Sequence, residues 1–153
     1  MDLQEQYNRL LRYCYMKTED RFLAEDITQE AFLRFWQSRS YRDTGKELAY
    51  LYTIARNLCI DEFRRPAAED IDEHTEIADG SASAVPVEDR IVLEQALEKL
   101  PDELREMVVL RYVSGLSDAE IGELFSVSRF AVHRRIREGL NILKDLIGEE
   151  RND

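Results

Sequence analysis

Apolar residues recur at intervals of three and four in two blocks of the chain, and a polar stretch separates the blocks. In the first block the pattern predicts three amphipathic helices: one around residues 7–14, one from about Asp20 to Gln37, and one that starts near Thr44. In the second block it predicts a helix that stops at Pro101, another that begins there, and two more separated by the turn at residues 126–128. The fold class is therefore predicted to be all-α.

The apolar stripes also predict which residues are buried. In the second helix these are Ile27, Ala31 and Phe35, with Thr28, Phe32 and Trp36 beside them. In the third helix they are Leu48, Leu51, Ile54, Ala55, Leu58 and Cys59. Cys14 and Cys59 lie on such stripes without CxxC or Cys/His spacing, so we expect buried thiols rather than a metal or redox site.

The charge is distributed unevenly. The whole chain of 153 residues carries a net −11, but residues 1–66 are neutral, residues 67–98 carry −9 and residues 99–153 carry −2. The middle segment has few large apolar residues and no helical stripe, so it cannot bury enough apolar surface to offset its ordering entropy. We therefore expect a domain at 1–66, an acidic flexible linker at 67–90 and a second domain at 91–153.

Two polar helix faces in the first block are candidate binding surfaces. Asp26, Gln29, Glu30, Leu33 and Gln37 share one sector of the second helix, which is acidic and carries an exposed leucine. On the third helix, residues 50, 57 and 64 are a tyrosine, an asparagine and an arginine spaced by seven. Such groups can stack on a base, read a base edge and hold a phosphate. From spacing alone, ordinary solvated faces remain the alternative for both.

The second block predicts a helix-turn-helix. Ser117 and Glu120 form a capping box at the start of a short helix, and Ser128 can cap the last helix after a three-residue turn. Residues 128–144 contain five basic side chains and one acidic side chain within an acidic protein. A local positive charge of this kind favours contact with a phosphate backbone.

Two motifs carry a family resemblance. Residues 24–65 contain AEDITQEAFLRFW and AYLYTIARNLCIDEFRR, and residues 97–147 contain LPDELREMVVLRYVSGLSDAEIGELFSVSRFAVHRRIREGL. In this order they resemble domains two and four of a bacterial RNA polymerase sigma factor of the extracytoplasmic-function type. The resemblance implies a promoter-specificity subunit that binds core RNA polymerase and directs it to the −10 and −35 elements of promoter DNA.

The resemblance also assigns site residues. On the second helix it implies polymerase binding by Asp26, Gln29, Glu30 and Leu33. It implies DNA binding by Tyr41, Tyr50, Asn57, Arg64, Arg65, Arg111, Ser128, Arg129, Phe130, His133, Arg134 and Arg137. Four positions depart from the family pattern: Tyr50 stands where tryptophan is usual, Ser126 where glycine is common, Ala131 for threonine and Glu138 for a basic residue.

No catalytic Ser/His/Asp arrangement, glycine-rich phosphate loop or metal spacing is present in the sequence, so we expect neither an enzyme nor a cofactor. No signal peptide or membrane-length apolar run is seen, so we expect a cytoplasmic protein. The resemblance implies an anti-sigma partner. One alternative function is a dimeric helix-turn-helix regulator that binds DNA independently of polymerase. The other is an adaptor whose helices contact only proteins.

Overall fold

The computed structural model describes residues 2–38, 46–63 and 87–151, and the regular elements in these ranges are all α-helices. The chain divides into two compact units. The first unit holds α1 (Leu3–Thr18), α2 (Arg21–Gln37) and α3 (Glu47–Phe63). The second holds α4 (Val87–Glu98), α5 (Asp102–Tyr112), α6 (Asp118–Phe125) and α7 (Arg129–Arg151). The predicted all-α class with two helical domains is confirmed.

Residues 64–86, between α3 and α4, lie outside the described residues, as does Thr44, near which α3 was predicted to start. The helix that follows this segment, α4, begins at Val87. Residues 87–90, which the sequence analysis assigned to the linker, are therefore helical. Glu88 and Asp89 lie in the first turn of α4, where negative charge is favoured by the helix dipole.

Short polar caps explain where the first two helices begin and end. The side chain of Asp2 accepts a hydrogen bond from the Gln4 amide at 3.0 Å, and that of Asp20 accepts one from the Leu23 amide at 3.2 Å. Between the helices, Glu19 adopts the left-handed conformation, with φ at 56°, and its amide donates to the Tyr15 carbonyl at 2.8 Å. This two-residue connection places α1 and α2 side by side.

Small side chains and two tyrosines form the interior of the first unit. Tyr13 of α1 and Tyr52 of α3 are fully buried, and their rings meet edge to face with centroids 5.4 Å apart. Alanines on α2 and α3 leave room for these rings. The other fully or nearly fully buried residues are Leu10, Leu11, Cys14, Ala24, Ile27, Thr28, Ala31, Phe32, Ala49, Leu51, Ala55 and Cys59. Both cysteine side chains are buried, as predicted, and neither forms a disulfide.

The buried stripe of α3 is rotated relative to the sequence prediction. Tyr52 and Ala49 are buried, although neither was assigned to the core, whereas Leu48, Ile54 and Leu58 are only partly buried. The contact between Tyr52 and Tyr13 of α1 places Tyr52 within the buried arc. At 100° per residue, Ile54 and Leu58 lie about 160° and 120° from Tyr52 around the helix, so they fall outside that arc.

The second unit packs α4, α5 and α6 against the long helix α7. Val132, Ile136 and Leu143 of α7 are buried, while Ile147 is partly buried against a cluster of Ala96, Leu100, Val108 and Leu143. Residues that are fully buried in this unit are Met107, Leu110, Ser114, Leu116, Ile121 and Val132. The core thus fixes the rotation of α7 and determines which of its side chains face outward.

Candidate protein-binding and nucleic-acid-binding surfaces

The polar sector predicted on α2 is exposed. Asp26 and Gln29 are exposed, and Leu33 exposes 52% of its surface. Glu30 is partly exposed, and its Oε1 accepts a hydrogen bond from Nε of Arg34 at 2.9 Å. The structure therefore brings all four residues predicted to bind polymerase to one accessible side of this helix.

Two large apolar side chains extend this sector beyond what the sequence analysis identified. Phe22 is 74% exposed and Trp36 is 58% exposed. At 100° per residue, Phe22, Asp26, Gln29, Leu33 and Trp36 lie within an arc of about 80°. We call these five residues the α2 face. Phe22, Leu33 and Trp36 are large exposed apolar side chains, and Asp26 and Gln29 lie among them. Exposed apolar side chains mixed with polar groups suit a protein-interaction site.

The assignment of Trp36 to the core was wrong. Its ring touches that of Phe32 at a centroid distance of 5.5 Å, so only one side of the indole is covered. Phe22 was missed altogether. The signal was present in the sequence, because residues 22, 26, 29, 33 and 36 alternate spacings of four and three, which marks a second stripe beside the buried one.

On α3 the structure describes two of the residues predicted to bind DNA. Asn57 is exposed. Tyr50 is partly buried, and its ring packs against that of Phe35 at a centroid distance of 6.0 Å. One face of the tyrosine is thereby supported by α2. Tyr41, Arg64 and Arg65 lie outside the described residues.

The helix-turn-helix forms from local capping interactions. Ser117 Oγ accepts from the Glu120 amide at 3.1 Å, while Glu120 Oε1 accepts from the Ser117 amide at 2.8 Å, so the predicted capping box is confirmed. Ser126 ends α6 in the left-handed conformation, with φ at 57°. This is the position where the family often has glycine, and the backbone angle explains that preference. Ser128 Oγ accepts from the Ala131 amide at 3.1 Å and so caps α7 as predicted.

The outward side of α7 is basic. Arg129, His133, Arg134 and Arg137 are exposed, and Phe130 exposes 63% of its surface. We call these five residues the α7 face. The Arg129 guanidinium carbon lies 5.0 Å from the centre of the Phe130 ring. By contrast, Arg135 turns toward α5 and pairs with Glu103, in keeping with its absence from the predicted DNA contacts.

A carboxylate that the sequence analysis missed joins two of the predicted DNA-binding residues. Oδ1 of Asp118 lies 3.5 Å from Nε of Arg111, and its Oδ2 lies 3.6 Å from Nδ1 of His133. These three residues, the Asp118 cluster, come from α5, α6 and α7. Nothing in the spacing of the sequence signals this meeting, because it depends on how three helices pack.

Within residues 2–38, 46–63 and 87–151, no group of three or more His, Cys, Asp or Glu side chains is arranged to hold a metal ion. No helix in the same part of the chain is long and apolar enough to cross a membrane.

Comparisons with known proteins match both units. The family model for sigma-70 region 2 matches residues 3–69, and the model for sigma-70 region 4 matches residues 90–143. The ECF RNA polymerase sigma factor SigW of Bacillus subtilis is 31% identical over 153 aligned residues, which cover 90% of this chain and 82% of that protein. The RNA polymerase sigma factor CarQ of Myxococcus xanthus is 36% identical over 132 residues, covering 83% and 76%.

A solved structure shares the fold. The sigma factor RpoE of Bartonella quintana, crystallised with the anti-sigma factor NepR, has a TM-score of 0.72 and 20% identity, with coverage of 95% of this chain and 94% of that chain. The family matches agree with the two helical units and with the capped helix-turn-helix in the second. This chain therefore belongs to the extracytoplasmic-function sigma factors, the transcription initiation factors that give RNA polymerase its promoter specificity.

Proposed function

We propose that the α2 face binds core RNA polymerase, that α3 captures bases of the separated −10 strand, and that the α7 face reads the −35 duplex. The observation that carries the proposal is that the two units expose opposite chemistries. The first presents apolar and acidic side chains on α2, and the second presents basic ones on α7 in a chain of net charge −11. A protein that joins an enzyme to DNA needs one surface of each kind.

The composition of the α2 face suits a protein partner. Burying a large apolar side chain completely contributes about 1.5–3 kcal/mol, so the exposed half of Leu33 would contribute about 1 kcal/mol in an interface. Phe22 and Trp36 expose larger fractions and so offer more. Asp26 on this face would favour a basic partner and set the register of docking.

The α7 face suits the major groove of duplex DNA. Its side chains lie in the first three turns of α7, and the amino-terminal part of a recognition helix is the part that contacts base edges. Arginine reads guanine by paired hydrogen bonds, and an apolar ring contacts thymine methyl groups. The family match gives no support to the alternatives of a polymerase-independent regulator or a protein-only adaptor.

We further propose that this protein acts in the cytoplasm and by binding alone. Strand separation would then draw on contacts with extruded bases rather than on a catalytic group. The exposed Asn57 beside the supported ring of Tyr50 gives α3 an amide and an aromatic for such contacts. An anti-sigma protein is a proposed partner, which the complex of the related fold with NepR supports.

The docking proposal is tested by the double variant Asp26→Arg/Leu33→Asp in the full chain. Both residues are exposed, so the free energy of unfolding should change by less than about 0.5 kcal/mol for each substitution. Retention of core polymerase in a pull-down should nevertheless fall strongly. Glu5→Arg is the matched control, because it makes the same charge reversal at an exposed position on α1.

The outcome is decisive when both variants are folded, as judged by circular dichroism. Loss of polymerase by the α2 variant but not by Glu5→Arg supports docking through the α2 face. Equal retention of polymerase by wild type and the folded α2 variant would remove the claim.

A further inference from the structure

Asp118 lies where three helices of the second unit meet. It occupies the first turn of α6, and its side chain is 31% exposed. One carboxylate oxygen faces Arg111 at the end of α5, at 3.5 Å, and the other faces His133 on α7, at 3.6 Å. A single acidic group thus contacts two cationic or potentially cationic side chains from two different helices.

Helix capping does not account for this carboxylate. Ser117 and Glu120 exchange both hydrogen bonds of the capping box, and Asp118 takes part in neither of them. Its place in the first turn of α6 favours a negative charge but does not require contacts with Arg111 or His133. Its partners are also more exposed than it is, since the side chains of Arg111 and His133 expose 44% and 61%. The carboxylate therefore lies beneath two side chains that reach toward solvent.

The charge of Asp118 opposes DNA binding at the place where the cations favour it. A phosphate that approaches Arg111 or His133 must compete with a carboxylate already in contact with both. This competition lowers affinity for any duplex, whatever its sequence, because it acts on backbone contacts alone. A penalty of the same size at every site leaves the difference in binding free energy between two sequences unchanged, so it lowers the affinity of the second unit for DNA as a whole.

We propose that Asp118 is a positioning residue that limits the affinity of the second unit for DNA: it holds Arg111 and His133 in the free protein and restrains them from binding backbone phosphates. This inference rests on the proposed role of α7 in reading duplex DNA. The restraint ends where a backbone phosphate replaces the carboxylate as the partner of these side chains.

The test is Asp118→Asn, which keeps the shape of the side chain and removes its charge. The matched control is Asp145→Asn, which makes the same change of net charge at an exposed position on α7. Asp145 is 12 residues beyond His133, or about 18 Å along the helix axis. Binding of each full-length variant to a fluorescent random-sequence duplex is followed by anisotropy from about 20 to 200 mM salt, a range over which phosphate contacts change strongly.

Asp118→Asn should bind random duplex roughly two- to fivefold more tightly than wild type at low salt, the range expected for one exposed ion pair. The slope of log affinity against log salt should steepen by about one for the Arg111 charge that is released, while Asp145→Asn follows wild type. Because the competition acts on backbone contacts, a duplex that carries the cognate −35 element should gain affinity by a similar factor with Asp118→Asn.

A purely structural role makes the opposite prediction. Asp118→Asn would then lower the unfolding midpoint and weaken binding to random and promoter DNA alike, which would overturn the proposal. The proposal would also be overturned if Asp118→Asn bound random duplex no more tightly than Asp145→Asn. Undetectable binding by both variants counts as that outcome. Arg134→Ala distinguishes failure of the proposed role of α7 from failure of the Asp118 inference. If Arg134→Ala leaves promoter use unchanged, the proposed role of α7 fails. If Arg134→Ala reduces promoter use but Asp118→Asn does not bind DNA more tightly, only the Asp118 inference fails.

Discussion

Replacing Asn57 by alanine isolates the proposed capture of the −10 strand. Asn57 is exposed on α3, whereas its neighbours Ala55 and Cys59 are buried on the opposite side of the helix. Removing an exposed amide at such a position changes the free energy of unfolding by less than about 0.5 kcal/mol. Polymerase binding should also be unchanged, because the proposed docking surface is on α2.

Promoter opening should nevertheless become less favourable. A side chain that reads a base edge through two hydrogen bonds discriminates by about 1–3 kcal/mol, which is roughly a fivefold to hundredfold effect on an equilibrium. Unstacking a base costs a few kcal/mol, so a lost contact of this size removes a sizeable part of what offsets it. The defect of Asn57→Ala should therefore appear in open-complex formation.

Permanganate footprinting on two templates measures this effect. On a fully paired promoter, Asn57→Ala should give fewer reactive thymines than wild type. On a template mismatched across the −10 region, the difference between the variant and wild type should shrink, because part of the free-energy cost of strand separation is already removed. Asn8→Ala is the control, since it removes an amide from α1 within the same unit. If Asn57→Ala opens the paired promoter as well as wild type does, the residue is only a surface amide and the reasoning is refuted.

Four further substitutions test the second unit. Arg134→Ala and Arg137→Ala should each weaken −35-dependent promoter occupancy by about 1–3 kcal/mol if the arginine reads a base, and by less if it holds a phosphate. Footprints at several salt concentrations distinguish these cases. Equal occupancy by wild type and both variants at every salt concentration would place α7 outside the groove. Ser117→Ala should cost about 1 kcal/mol of stability through loss of the capping box, measured by thermal unfolding, and an unchanged midpoint would contradict that role. Ser126→Gly should stabilise the second unit by about 0.5 kcal/mol. Glycine relieves roughly 1 kcal/mol of left-handed strain at φ 57°, and the greater entropy of the unfolded chain offsets part of that gain. A lower urea midpoint for Ser126→Gly than for wild type would count against this reasoning.

Features that depend on neighbours in the chain were predictable from the sequence. The capping box at Ser117 and the cap at Ser128 form where they were expected, because each needs only residues three positions apart. The same holds for the helical class and the division of charge, since periodicity and composition are read directly from the chain. The motifs on these helices were also enough to identify the sigma family, which the comparisons confirm.

The burial of individual side chains depends on how the helices pack against one another, so it was set by the tertiary structure. Trp36 shares an apolar arc with Phe32 and was placed in the core, but the three helices cover only part of that arc and leave the indole exposed. Tyr52 is buried because it meets Tyr13 from a helix far away in sequence. Periodicity gives the spacing of a stripe but not its width or the partner that covers it, so it cannot settle such cases.

The Asp118 cluster shows the same division most clearly. The sequence by itself determined that α5, α6 and α7 would form, that the last helix would be basic, and that Arg111 and His133 were candidates for DNA contact. Only the packing of the three helices brought those two side chains to a common carboxylate. The physical reason is that helix formation and capping depend on interactions between residues a few positions apart. The contacts of Asp118 with Arg111 and His133 instead exist only after burial of the core has fixed the position and rotation of each helix.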